Sequence, residues 1–196
     1  MFLRRSRSLR LLVGHWDGIP IHADWTLLLG VLVVAGFAGL TASTWFGYVL
    51  VILVHELGHA ALVRRYGFHP TLIFLHGFGG ECEYEGDPTA REVSAIAWGG
   101  VLGQAVLFAA VFLPIHFGLV PPAVTTSGFA AVTIGSNVFI AAFNLLPISG
   151  LDGEHAWRLF RNVPSERTAK PKLTPTEIAD ELVRKAVRAG RRDSRR

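Results

Sequence analysis

The stretch VILVHELGH, residues 51–59, places two histidines and a glutamate inside a long apolar run. No Asp, Glu, Lys or Arg occurs at residues 25–54, and none occurs at residues 93–151. Because a membrane span needs about 20 apolar residues, each run is long enough for two helices. Charged residues make up only 17% of the 196-residue chain, against roughly a quarter in soluble domains. The sequence therefore predicts an α-helical membrane protein.

Turn residues divide the two apolar runs into four predicted spans. A tight turn near residues 41–44 splits the first run, and Pro121 with Pro122 ends a helix in the second. The predicted spans cover approximately residues 24–40, 45–65, 92–117 and 125–146. Between the second and third spans, residues 71–76 and 81–85 flank a glycine-rich turn, which is typical of a β-hairpin. Residues 18–23 alternate weakly and predict a short strand before the first span.

The basic residues predict how the chain is oriented in the membrane. All 19 Lys and Arg fall at residues 4–10, at residues 64–91 or from Arg158 onward. With four spans these clusters share one side, which the positive-inside rule makes cytoplasmic. We therefore expect an integral protein of the plasma (inner) membrane with both termini in the cytoplasm. No basic cluster is interleaved with aromatic residues, so no nucleic-acid partner is expected.

The predicted organisation has three parts. Residues 1–17 form a basic lead-in, residues 18–158 form the membrane-embedded core, and residues 159–196 form a basic cytoplasmic tail. In the tail, Thr174, Pro175 and Glu177 form a capping box that predicts a helix over residues 175–189. This helix either lies on anionic lipid or belongs to a solvated tail.

Two further residue types allow simpler expectations. The single cysteine, Cys82, excludes an internal disulfide and predicts a free thiol. Trp98 and Trp157 are among five tryptophans that lie mostly near predicted span ends, where an aromatic belt at the membrane surface explains them.

His55 and His59 lie four residues apart, so both imidazoles share one helix face and can reach a single metal ion. Zinc binds neutral imidazole well, and Glu56 beside the first histidine can take a proton from water at such a site. Ionisable residues inside a span are costly and are functional by default. The sequence thus favours a zinc site over the alternative, a structural polar cluster between helices.

A zinc enzyme needs a third protein ligand from outside this helix. Asp152 ends the fourth predicted span, after Pro147 and Gly150 break the helix and free its backbone. Glu154 and His155 lie in the same loop and are rival ligands. Spacing alone leaves the three alternatives open.

The combination of an intramembrane HELGH helix with the segment NLLPISGLDG, residues 144–153, resembles the site-2 protease family of zinc metalloproteases. The resemblance extends over about residues 18–158 and includes the glycine-rich hairpin. It implies one Zn²⁺ per chain, with Glu56 as the catalytic acid/base. By the same resemblance the zinc ligands are His55, His59 and Asp152, and substrate is contacted by Asn144, Gly79 and Gly80.

The resemblance implies an activity and a set of partners. The expected reaction is hydrolysis of peptide bonds in or near a transmembrane segment of a substrate protein. The lipid bilayer and a regulatory membrane partner are the other expected partners. The alternative is a non-proteolytic protein of the same fold that binds metal or regulates other membrane proteins. Three residues depart from the usual family pattern: Gln104, Glu154 and His76.

Overall fold

A computed structural model describes residues 10–77 and 79–160 of the chain. In this part, a small sheet precedes and interrupts a set of apolar helices. The strands are β1 (Leu11–Trp16), β2 (Ile19–Ala23), β3 (His69–His76) and β4 (Gly79–Glu85). The longer helices are α1 (Leu27–Ala38), α2 (Ala42–Arg65) and α3 (Ala90–His116). The shorter ones are α4 (Pro122–Thr125), α5 (Gly128–Ala130), α6 (Asn137–Asn144) and α7 (Gly153–Ala156). Ala131–Ser136 is π-helical and Trp157–Phe160 is a 3₁₀ turn.

Helix α2 is the central element, because its buried residues recur every three or four positions along its length. Thr44, Tyr48, Ile52, His59 and Val63 lie on this stripe. Thr41 caps the helix with its side-chain oxygen, which accepts from the backbone amide of Thr44. The stripe packs against α3 and against the sheet. The HELGH segment therefore lies at the middle of the core.

Glycines allow α2 and α3 to cross at very short range. A Cβ atom placed on Gly99 of α3 would lie 2.6 Å from the carbonyl oxygen of Gly58 on α2. One placed on Gly103 would lie 2.5 Å from the carbonyl oxygen of Val54. Small residues at such a crossing let two helix backbones approach closely, which is the usual basis of helix packing in membranes. The contact brings the metal-binding face of α2 against α3.

The sheet has the strand order β1-β2-β3-β4. Strands β1 and β2 are antiparallel, β2 and β3 are parallel, and β3 and β4 are antiparallel. Parallel strands need a long crossover connection, and here α1 and α2 supply it. Ile21 of β2 is paired with Ile73 of β3, and both are buried. Strand β4 forms one edge of the sheet and lies against α2.

The predicted hairpin is confirmed as β3 and β4, and the predicted strand at residues 18–23 as β2. Strand β1 was not predicted, since residues 1–17 were assigned only as a basic lead-in. Its exposed Leu11, Leu12 and Val13 do not alternate with polar residues, so they lack the pattern of a half-buried strand. The predicted tail helix, 175–189, lies outside the described residues.

Two helices among the described residues, α2 and α3, are long and apolar enough to cross a membrane. With 24 and 27 residues, they span about 36 and 40 Å at 1.5 Å per residue. The other two predicted spans are shorter in the structure: α1 has 12 residues, and the apolar helical stretch Gly128–Asn144 contains the π-helical turn. The structure is thus mostly helical with a small mixed sheet, and two helices have spanning length.

Substitution of Gly99 by alanine tests the helix crossing. The added methyl group would collide with the Gly58 backbone, and overpacking of this kind costs about 1–3 kcal/mol. We expect a clear loss of thermal stability in detergent, measured by tryptophan fluorescence. Gly135→Ala is the matched control, because a Cβ atom there meets nothing within 4 Å. Equal melting temperatures for the two variants would contradict the proposed packing.

Candidate metal centre

His55 and His59 present their rings side by side on the buried face of α2. Their Nε2 atoms lie 3.0 Å apart, and the ring centroids are 4.7 Å apart in an edge-to-face arrangement. Both side chains are buried, with 6% and 7% of their surface exposed. The four-residue spacing in the sequence therefore places the two Nε2 atoms close enough to bind one metal ion, as predicted.

Asp152 reaches the same point from a distant part of the chain. After α6 ends, the backbone turns through Gly150, whose φ of +92° favours glycine, and Asp152 begins the short helix α7. One carboxylate oxygen lies 2.9 Å from Nε2 of His55, and the other lies 3.3 Å from Nε2 of His59. Among the described residues, these three side chains form the group that could hold a metal ion.

The hydrogen bonds behind the two rings test whether a cation fits. Nδ1 of His59 lies 2.8 Å from the carbonyl oxygen of Ile96, and Nδ1 of His55 lies 3.0 Å from Oε1 of Gln104. A carbonyl oxygen can only accept, so each Nδ1 donates a proton and each neutral ring turns an Nε2 lone pair inward. Two lone pairs and a carboxylate in contact repel one another unless a cation lies between them. The donor set fits a metal ion.

The donor atoms lie close to, but slightly nearer one another than, the ligand atoms of a bound zinc ion. Zinc bonds to histidine nitrogen and carboxylate oxygen of about 2.0–2.2 Å, arranged as a tetrahedron, place neighbouring ligand atoms about 3.3–3.5 Å apart. The observed separations run from 2.9 to 3.3 Å. Three protein ligands leave a fourth position, as catalytic zinc sites require.

Glu56 lies next to this centre and is 3% exposed. Strand β4 packs directly on it: a Cβ atom on Gly80 would lie 2.6 Å from Oε1 of Glu56. Any larger residue at this position would displace the carboxylate. The predicted substrate-contacting glycine, Gly80, therefore also leaves room for Glu56.

A cavity of about 460 Å³ opens over the centre. Its lining includes Glu56, the metal-binding group, Gly79 and Gly80 of β4, and Asn144. Nδ2 of Asn144 lies 3.4 Å from Nε2 of His55. The structure thus brings together all seven residues singled out from the sequence; Phe78 in the same hairpin lies outside the described residues.

The β3–β4 turn that borders this cavity is anchored to α2 and to the turn that precedes α1. The hydroxyl of Tyr48 donates to the carbonyl oxygen of Gly77 at 3.0 Å, and the Gly77 amide donates to Oγ1 of Thr26 at the same distance. Tyr48 is almost fully buried. These bonds hold the turn, and with it the start of β4, beside α2.

The loop that carries Asp152 is held by Ser94 and Trp98 of α3 and by Trp157. The hydroxyl of Ser94 lies 2.8 Å from the carbonyl oxygens of His155 and Ala156. The indole of Trp98 donates to the Ala156 carbonyl at 3.0 Å, and that of Trp157 donates to Leu145 at 2.6 Å. The two tryptophans expected in an aromatic belt therefore hold the backbone around α7 in place next to the metal centre.

The residues that depart from the usual family pattern occupy defined places. Glu154 accepts a hydrogen bond of 3.1 Å from the backbone amide of Gly150, which lowers the pKa of the Glu154 carboxyl, and its other oxygen is 4.0 Å from Arg158. It is not part of the metal-binding group. His76 lines the cavity, with its ring 5.6 Å from that of Phe74. Gln104 is the hydrogen-bond partner of His55.

Cys82 of β4 also lines the cavity, and its thiol is an unusually weak acid. Burial, and secondarily the negative charge of Glu56, raises the pKa of the Cys82 thiol to about 12. At neutral pH the group is a thiol rather than a nucleophilic thiolate. The predicted free cysteine is therefore a poor nucleophile at neutral pH.

Alkylation of Cys82 across pH tests this environment. With the folded pKa near 12, the rate constant for a small reagent such as iodoacetamide should rise about tenfold per pH unit from pH 7 to 10 without levelling off, because only the thiolate reacts. The urea-denatured chain is the control, since its ordinary thiol should level off near pH 9. A plateau in the folded protein at the same pH as in the denatured chain would refute the shift.

Comparison with known proteins finds relatives of similar sequence. A zinc metalloprotease of Methanocaldococcus jannaschii is 26% identical over 166 residues, which are 80% of this chain and 46% of that protein. Stage IV sporulation protein FB of Bacillus subtilis is 34% identical over 107 residues, 54% of this chain and 35% of that protein. The chain thus spans less than half the length of these curated relatives. No family model matches the sequence.

Among solved structures, the site-2 protease from Methanocaldococcus jannaschii superposes with a TM-score of 0.58 and 22% identity, covering 77% of this chain and 71% of that one. The chain is thus similar in sequence to a zinc metalloprotease and in fold to a site-2 protease.

Proposed function

We propose that this protein is an intramembrane zinc endopeptidase that hydrolyses peptide bonds in or near transmembrane segments of membrane-protein substrates. One observation carries the proposal: two histidines and an aspartate converge next to a buried glutamate, on a helix long and apolar enough to span a membrane. The relatives named as zinc metalloproteases support the same reaction.

In this proposal His55, His59 and Asp152 hold one zinc ion, and Glu56 handles the proton. The bound metal would supply Lewis acidity to water and to the scissile carbonyl. Glu56 lines the same cavity as the ligands, so it takes a proton from the attacking water and returns it to the departing amine. Its buried position beside Gly80 keeps bulk water away from the carboxylate.

Substrate binding follows from the edge strand and from Asn144. A transmembrane helix has its amides already hydrogen bonded, so the cleaved stretch must be extended. Strand β4 is an edge strand among the described residues; it lines the cavity at Gly79 and Gly80 and offers backbone groups to such a stretch. The amide of Asn144, beside His55, donates to the scissile carbonyl, where negative charge develops during the reaction.

We further propose that the core crosses the membrane four times, with both termini in the cytoplasm and the cavity open to that side. The uncharged runs at residues 25–54 and 93–151 and the distribution of Lys and Arg support this topology. Segment α1 and the stretch Gly128–Asn144 would span with their flanking residues. The bilayer, a single-span substrate and a regulatory membrane partner are then the expected partners.

A non-proteolytic metal-binding or regulatory protein of the same fold is the competing proposal. It would need the three metal ligands but not an acid/base beside them. Glu56 lies in a buried position where an unused carboxylate would be costly. That cost favours the protease.

The Glu56→Gln variant tests the role of Glu56. The amide has nearly the same shape but cannot take up a proton, so cleavage of a co-expressed single-span substrate should fall by at least about 100-fold. Zinc content, measured on the purified protein, should stay at the wild-type level. A variant that retains its zinc and still cleaves at the wild-type rate would rule out this mechanism.

The third ligand is tested by comparing Asp152→Ala with Glu154→Ala. Loss of the Asp152 carboxylate leaves two histidines, so zinc content after mild chelation should drop from about one per chain to near zero. Glu154→Ala is the matched control, because that side chain instead bonds to Gly150 and Arg158. Loss of zinc only in Glu154→Ala would overturn the assignment.

A further inference from the structure

Gln104 contacts the metal centre from behind His55. Its side chain is 1% exposed and lies on α3, and its Oε1 atom is 3.0 Å from Nδ1 of His55. The corresponding acceptor for His59 is a backbone carbonyl, that of Ile96. The orientation of one ligand ring is therefore fixed by the main chain, whereas that of the other depends on a replaceable side chain.

The hydrogen bonds of the Gln104 side chain indicate that it does more than fill space in the core. Its Nε2 atom is buried and has no hydrogen-bond partner within residues 10–77 and 79–160. A buried amide with an unpaired NH₂ group destabilises a protein relative to an apolar side chain of similar size. The compensating contribution must come from its other atom, Oε1, which is the atom that contacts His55.

The backbone around Gln104 is itself supported by the fourth helical region. Nδ2 of Asn137 donates to the carbonyl oxygen of Gln104 at 3.0 Å, and Asn137 is 2% exposed. Asn137 directly follows the π-helical turn Ala131–Ser136. A chain of contacts thus runs from Asn137 through Gln104 to His55.

We propose that Gln104 is a positioning residue of the metal centre, whose side-chain carbonyl keeps the proton of His55 on Nδ1. In this tautomer the lone pair of Nε2 faces Asp152 and the metal. Without this acceptor, His55 can move its proton to Nε2, where it blocks the lone pair that binds the metal. The proposal rests on the zinc site of the proposed function. It adds that the zinc affinity of that site depends on the hydrogen bond between His55 and Gln104.

The test measures zinc affinity, by competition with a fluorescent chelator, on the purified full chain in detergent. Gln104→Met keeps the size of the side chain but removes the carbonyl, and Gln104→Glu keeps an acceptor oxygen at the same place. Loss of the outer partner of a metal-binding histidine typically weakens metal binding 10–100-fold. We expect a loss of about that size for Gln104→Met and recovery of most of the affinity in Gln104→Glu.

Thr133→Val is the matched control, because it removes another fully buried polar group, which bonds only to the Phe129 carbonyl among the described residues. It should bind zinc as the wild type does. Wild-type affinity in Gln104→Met would overturn the proposal. Equal losses in the Met and Glu variants, or a similar loss in Thr133→Val, would do the same, since they would indicate a packing effect.

A third variant covers the case in which Gln104→Met does not fold. Gln104→Asn remains polar but is one methylene shorter, so its carbonyl cannot span the contact with His55, and zinc affinity should again fall. Wild-type affinity in this variant would overturn the proposal. A wild-type chain that binds no zinc would instead refute the proposed function itself, so the two failures are distinguishable.

Discussion

The mutual repulsion of three ligand atoms is the constraint on which the rest of the structure depends. Two imidazole nitrogens and a carboxylate meet within 3.3 Å of one another in the interior of the molecule. Such a cluster is stable only if each group is held in place from behind and a cation offsets the charge. The surrounding elements can be understood as parts of that support.

Helix α3 supplies most of the support. Its glycines let it approach α2 so closely that the Ile96 carbonyl and the Gln104 side chain reach the two histidines. On the same helix, Ser94 and Trp98 hold the backbone of α7 and therefore the position of Asp152. A single helix thus orients all three ligands. Close packing at the crossing, rather than the ligands alone, sets the geometry of the site.

The sheet has a different role: it places its edge strand, β4, next to the metal centre. Strand β4 can lie against Glu56 only because Gly80 has no side chain. The turn before it is fixed by Tyr48 of α2 and by Thr26, which directly precedes α1. Glu56 and the edge strand are consequently adjacent.

The sequence by itself determined the apolar helices, the hairpin and the histidine pair, because each depends on local periodicity or spacing. It left Asp152, Glu154 and His155 open as third ligands. Only the tertiary structure separates them: it turns Asp152 toward the histidines and Glu154 back to the Gly150 amide. The bonds from Ser94 and Trp98 and the contact of Gln104 with His55 could likewise not be predicted. They join residues that are distant in sequence, and their distances are set by how closely the helices pack and how the strands pair, which no local pattern encodes.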